Sequence, residues 1–358
     1  MLSVYLLFYH LLLGLLPYQA RQASPLVLQP QPVPFTPREF YVAEVTDARP
    51  AGSPVALLLA AGGPSVKPEA VALQGGTLPA LRQFVRQSVP RNPALRPVTM
   101  RVQELQVREA PGPGGTIDGK ITVTLAFDWL REGQRVPLVE YRGGSRYRRL
   151  PSQRAVVAPA LQQALVSGLV YLHTWITQQA PRNPDLATAI QVRFQDDVRQ
   201  TEPDTLFYDP GKPLAWTDFT GPQRSQGFAA AVFPSFAYQG RPSINQGKLR
   251  LDFTLKVYVV RSSSWTSTQT PYHLNHEQRH FDLVKLVAER FRRKVQPDSL
   301  TFADYNSIIQ LQYLRSYWEM NRVQEQYDAE THHGMDEAAQ QRWNQRIDAE
   351  LREFKVKS

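Results

Sequence analysis

The chain has 358 residues, which at about 150 residues per domain points to two domains. Charged residues make up 20% and apolar residues 42%, a balance that excludes wholesale disorder. Cysteine is absent, which excludes disulfide staples, thiolate zinc sites and thiol catalysis, and the formal charge of +9 is too moderate to identify an anionic partner.

Residues 1–17 are almost wholly apolar and lack any Lys, Arg, Asp or Glu, and the small-residue stretch Ala20 to Ser24 follows. This pattern predicts a cleaved export signal over residues 1–23. The run is shorter than the roughly 20 residues that span a bilayer. No later segment is expected to span, so the mature chain is expected to be soluble and secreted or periplasmic. A Pro-rich tether, 24–37, comes next.

The first domain is expected over 38–180 as an α+β layer. Phe40 to Val45 alternate as a strand, and Thr77-Leu78-Pro79 opens a helix through Val89, with Thr77 as the cap. Val98, Met100 and Val102 alternate, as do Ile121, Val123, Leu125, Phe127 and Trp129. Gly143-Gly144 is read as a hairpin turn. Val157, Leu161, Leu165, Leu169, Leu172 and Ile176 form a helical stripe able to cover the sheet. The strand end Val45-Thr46-Asp47-Ala48-Arg49 resembles periplasmic lipoprotein-type α/β domains. Arg131, Arg135, Arg142, Arg146, Arg148, Arg149 and Arg154, interleaved with Tyr141 and Tyr147, admit polyanion binding. Glu132 and Glu140 dilute that charge, so a solvated face is preferred and no nucleic acid is expected. His173 stands alone and reads as an ordinary core or surface residue.

Pro181 to Pro184 breaks the helix and opens the second domain, 189–358. Ile190, Val192 and Phe194 suggest a strand, and Leu249 to Val259 alternate more clearly than any other run. Then comes His276-Glu277-Gln278-Arg279-His280. On a helix, residues four apart share a face, so both imidazoles can reach one ion while Glu277 stands beside it as a base. With a third protein ligand, Zn2+ would keep an open position for water or substrate. The three fixed positions should arise by accident in on the order of one such sequence in a hundred. Five of the seven histidines fall between His273 and His333.

Asn275 is an acceptable cap for the motif helix, and Phe281, Leu283, Val284, Leu286, Val287 and Phe291 continue it. A second helix is expected from Phe302 to Glu330 with Ile308, Leu311, Leu314, Trp318 and Val323 buried, and a third from Asp336 to Phe354 with Trp343, Ile347 and Leu351 inward. Three residues qualify as third ligand. Glu319 would lie level with His276 in a tight antiparallel hairpin, while Asp328 and His333 flank the end of the second helix. Asp282 projects from the opposite side and reads as a solvated or capping carboxylate.

Trp216-Thr217-Asp218-Phe219-Thr220-Gly221, Gly227-Phe228-Ala229-Ala230-Ala231, His276 to Asp282, and Tyr327 to Gly334 with Gln340 and Trp343 together resemble a bacterial family filed as a domain of unknown function. Its members are predicted secreted zinc-dependent proteases, and the resemblance covers about 189–354. It implies a zincin-like α+β metallopeptidase domain acting on peptide or protein substrates, with His276, His280 and His333 as metal ligands and Glu277 as catalytic base. Arg279 departs from the small residue usual before the second histidine. Trp216 and Phe219 read as anchors of a turn. Tyr327 could donate to an oxyanion, although packing is the plainer role. The alternative is a noncatalytic cell-envelope binding protein with a structural or degenerate metal site, which would have no use for Glu277.

Overall fold

A computed structural model describes residues 24–60, 67–199, 202–223 and 229–356. The expected signal segment lies outside these, as do Gly227 and Phe228. The architecture is α+β, and the chain divides into two compact units at Ile176/Thr177.

In the first unit, six strands form one sheet: β1 (Phe40–Asp47), β2 (Ala56–Leu58), β3 (Glu69–Val71), β4 (Arg96–Pro111), β5 (Ile117–Arg131) and β6 (Gln134–Arg149). β5 runs antiparallel to β4 on one edge. The other edge of β4 is shared, with β1 parallel along its first half and β2 parallel further on. Every apolar residue of the two expected alternating runs is buried. Two helices accompany the sheet, α1 (Thr77–Ser88) and α2 (Val157–Gln179). The cap of α1 is Gly76 and not Thr77, which is already helical.

The β5–β6 turn is made by Glu132 and Gly133, at φ 52° and 76°. Gly143 and Gly144 instead lie inside β6, where a side chain on Gly144 would collide with the Ile121 carbonyl. The double glycine is therefore a close-approach device and not a turn. All six predicted stripe residues of α2 are buried, and Gly168 lets the helix settle onto Leu125 and Tyr141. By length and composition alone α2 would also suit a membrane; its buried stripe identifies it as a core helix. The Pro-rich stretch is not a free tether at its start, because Leu26 is buried and bridges to Leu73. His173 stacks on Phe35 at 4.1 Å.

The second unit has a four-stranded sheet of β7 (Ala189–Asp196), β8 (Thr205–Phe207), β10 (Pro234–Asn245) and β11 (Lys248–Val260), and a small pair of β9 (Ala230–Ala231) with β12 (Trp265–Thr266). β11 is central, antiparallel to β10 and parallel to β7. Its alternation is real: Leu249, Leu251, Phe253, Leu255, Val257 and Val259 are all buried. Pro234, Gly240 and Pro242 interrupt the alternation along β10, so its sequence does not announce a strand.

Three helices follow, α3 (Pro271–Lys294), α4 (Tyr305–Thr331) and α5 (Glu337–Glu353). α3 begins a full turn before the motif: Thr270 caps it, its hydroxyl accepting from His273 N at 3.2 Å, with Pro271 in the first turn. Asn275 is thus interior. Phe281, Val284, Val287, Ala288 and Phe291 pack toward the sheet, whereas Leu283 and Leu286 pack with Trp343, Ile347 and Leu351 of α5. α3 is buried on both sides. α4 turns a different face inward than expected. Ile309, Ser316, Met320, Tyr327 and Thr331 are buried, while Leu311, Leu314 and Trp318 are 44%, 49% and 65% exposed.

Candidate metal centre

The second turn of α3 and the last turn of α4 meet at the site. His276 Nε2 lies 3.3 Å and His280 Nε2 2.9 Å from the same oxygen of Asp328. These three ligand atoms lie within 4.8 Å of one another. A tetrahedral zinc with bonds of about 2.1 Å has ligand atoms about 3.4 Å apart, so the trio fits the ion. His333 sits next to it, with Nδ1 3.7 Å from Asp328 Oδ1, and is 48% exposed. Asp328 is therefore the carboxylate gathered with both imidazoles, and His333 stands at the rim.

Glu319 is not near the site. It pairs with Arg290 at 2.6 Å and Lys294 at 2.9 Å, about four helical turns, or roughly 20 Å, from His276. The connection 295–304 includes its own turn at Pro297–Ser299, which shifts the antiparallel register away from a tight hairpin. Asp282 is fully buried, contrary to the solvated reading. It accepts from Tyr208 at 2.9 Å, Gln278 at 2.9 Å and Arg279 at 3.0 Å. Arg279 points away from the ion site and reaches Asp348 on α5 at 2.5 Å.

A buried network fixes the first imidazole. Its Nδ1 lies 2.9 Å from Gln340 Oε1, and the Gln340 amide nitrogen donates to Tyr327 OH at 2.6 Å and Asn344 at 2.9 Å. That orientation makes the Gln340 oxygen an acceptor, so His276 Nδ1 donates to it whether or not Nε2, turned to Asp328, also carries a proton. Tyr327 stacks on His276 with centroids 4.8 Å apart and is fully buried. Its hydroxyl faces Gln340 and the His276 carbonyl, so it braces the site and does not face a substrate. Neither Gln340 nor its link to His276 could be derived from spacing.

Glu277 is buried, and its Oε2 accepts from Val232 N at 2.9 Å. Burial pushes its carboxyl above the ordinary value, opposed by the charges of His280 and His276. Burial acts the same way on Asp328, yet hydrogen bonds from His276 and His280 hold it well below the carboxylate range. For His276, burial alone would lower the pKa, but the Asp328 bond leaves it raised.

A cleft of about 340 Å³ opens over these groups, walled by Ala229 to Val232 on one side and by Asn321, Gln324 and Glu325 of α4 on the other. Gly221 permits the close approach of the segment before β12, since a side chain there would lie 2.5 Å from the Ser262 carbonyl. Trp216 and Phe219 pack together, 5.0 Å between centroids, within the core of this unit. At the end of α4, His332, His333 and Gly334 take φ of 49°, 54° and 81° in succession. Tyr272 OH donates to the Gly334 carbonyl at 2.6 Å, holding this corner against the start of α3.

The chain matches no protein-family model and no curated protein. Among solved structures it is similar to a Xanthomonas campestris protein of family DUF330, at 16% identity over 44% of this chain and 96% of that one, with a TM-score of 0.26. A likeness at that level carries no argument.

Proposed function

We propose that the second unit is an exported, zincin-like zinc peptidase, with His276, His280 and Asp328 holding the ion and Glu277 as general base. The observation that carries this reading is the convergence of two Nε2 atoms and one carboxylate oxygen at the floor of an open cleft, beside a second, buried carboxylate. A zinc ion held there would polarise the scissile carbonyl and acidify water. Glu277 takes the proton of the attacking water and passes it to the leaving amine; burial favours the protonated form of its carboxyl, which makes it a better proton acceptor than an exposed glutamate. The Val232 N–H fixes one oxygen of Glu277 and leaves the other for that proton. An extended peptide fits along Ala229 to Val232 by strand addition, because small side chains leave the backbone edge accessible. His333, which the family resemblance offers as third ligand, stands at the rim as the alternative to Asp328. A structural site would be closed by four ligands and would need no buried carboxylate beside it, so the noncatalytic reading has less support.

The test is metal analysis and a peptide-library assay on the purified chain, repeated for Glu277→Gln. The wild type should hold zinc and cleave, and the variant should keep its zinc while turnover falls about a hundredfold or more. A folded, zinc-loaded wild type that cleaves no peptide overturns the reading.

A further inference from the structure

The exposed face of the first sheet carries a row of like charges. Arg108 of β4 lies directly opposite Lys120 of β5, which lies directly opposite Arg146 of β6. All three are exposed. With neighbouring strands about 4.8 Å apart, the row spans about 10 Å. Like charges facing each other across strands repel, so the arrangement is unfavourable unless something anionic lies between them.

Three other cations of this sheet are ion-paired. Arg148 pairs with Asp118 at 2.6 Å, Arg142 with Glu140 at 2.5 Å and Arg101 with Asp128 at 2.5 Å. No carboxylate among the described residues pairs with Arg108, Lys120 or Arg146; the nearest arrangement is Arg108 Nε donating to the neutral Gln106 amide at 2.7 Å. A depression of about 670 Å³ is lined by all three together with Asp118 and Glu109, whose charges are taken by Arg148 and Arg149, and a second, of about 260 Å³, opens beside Lys120 and Arg146 where Gly144 contributes no side chain.

The tyrosines that make this stretch look like a base-stacking platform face the other way. The Tyr147 ring covers Gly119 and its hydroxyl donates to the buried Glu109 at 2.7 Å, while Tyr141 lies 5.5 Å from Tyr171 of α2. A row of two guanidinium forks around one ammonium, with the neighbouring Tyr147 ring already engaged over Gly119 and Glu109, suits oxygen-rich anions and not stacked bases.

We propose that Arg108, Lys120 and Arg146 form a binding site for clustered phosphate groups, as in an oligophosphate or a phospholipid surface. This site is independent of the cleft in the second unit. The test is calorimetric titration of the full chain with inorganic triphosphate, at low and at physiological salt, for the wild type and for R108Q, K120Q, R146Q and R142Q. Arg142 serves as the control because it is on the same face but ion-paired. Saturable binding should weaken about tenfold in each of the three row variants, and less than about twofold in R142Q. The K120Q variant should melt no lower than the wild type without triphosphate, since it removes repulsion, and should gain less melting temperature from triphosphate than the wild type does.

Sedimentation with phosphatidylcholine vesicles, with and without phosphatidylglycerol, separates the sources. Row-dependent binding to the anionic vesicles assigns a lipid headgroup, and row-dependent binding of triphosphate alone assigns a free phosphorylated ligand. Equal weakening in all four variants reduces the effect to overall charge and overturns the site. So does tighter row-dependent binding of a thymidine oligonucleotide than of triphosphate.

Discussion

Helices α2 and α3 are nearly equal in length, 23 and 24 residues, and each belongs to the core of its own unit, yet they bury opposite kinds of side chain. α2 buries aliphatic residues and Gln162, and no charge. α3 buries His276, Glu277, His280, Asp282, Lys285 and Glu289 as well as its apolar residues. Burying charge is unfavourable unless each group is matched, and on α3 the matching is nearly complete. Asp282 has three donors, Lys285 pairs with Asp196 at 3.0 Å and Glu289 at 2.7 Å, and both imidazoles meet Asp328. Glu277 is the exception: among the described residues its hydrogen bond comes from a single backbone N–H. The charged helix thus separates into groups that hold the fold and one group left underused, which is where chemistry is expected.

The sharpest way to break this contrast is to remove one matched charge and one aliphatic side chain. Asp282→Ala should cost about 3–5 kcal/mol because it takes the buried acceptor from Tyr208 and Gln278 and leaves Arg279 with Asp348 as its remaining carboxylate. Leu169→Ala in α2 should cost about 2–5 kcal/mol through the cavity it leaves. Denaturant midpoints measure both, and a cost near zero for Asp282→Ala would mean that its network contributes no stability. Next in size, Gln340→Leu should lower the zinc affinity of the proposed site about 10–100-fold by releasing His276 Nδ1, measured by competition with a chelator. Unchanged affinity would reduce Gln340 to packing.

The smallest effect expected is at Glu319. Burial would raise its carboxyl, but the Lys294 and Arg290 contacts bring it below its ordinary 4.5. A carboxylate with a depressed folded pKa stabilises fully above 4.5 and loses that contribution as pH falls through the folded value. Glu319→Gln should therefore cost about 1 kcal/mol or less at neutral pH, and its melting curve should converge with the wild type in acid. A gap that persists there would assign the effect to packing.

What could be read from residues alone follows a physical rule. Strict alternation in β11 and the Trp343, Ile347, Leu351 stripe of α5 are one-sided patterns, and both were legible. α4 was misjudged because its apolar residues lie on more than one face, so Leu311, Leu314 and Trp318 looked as buried as Ile309 and Met320 turn out to be. β10 was lost among its prolines and glycine. In the site, His276, Glu277 and His280 share one helix and a fixed spacing, so they were accessible. Asp328 was one of three options, because its position depends on the α3–α4 register. Thr270-Pro271 carried the true start signal of α3, but Asn275 stood closer to the motif and drew the assignment.

The corner His332–Gly334 sets a limit on redesign. A side chain at Gly334 would meet His276 Nδ1 at 3.2 Å, and two left-handed residues precede it. Here the main chain itself acts as a spacer, with no slack for insertion or for bulk. Attempts to retarget the cleft belong on Asn321, Gln324 and Glu325, where side chains can be exchanged without moving the floor.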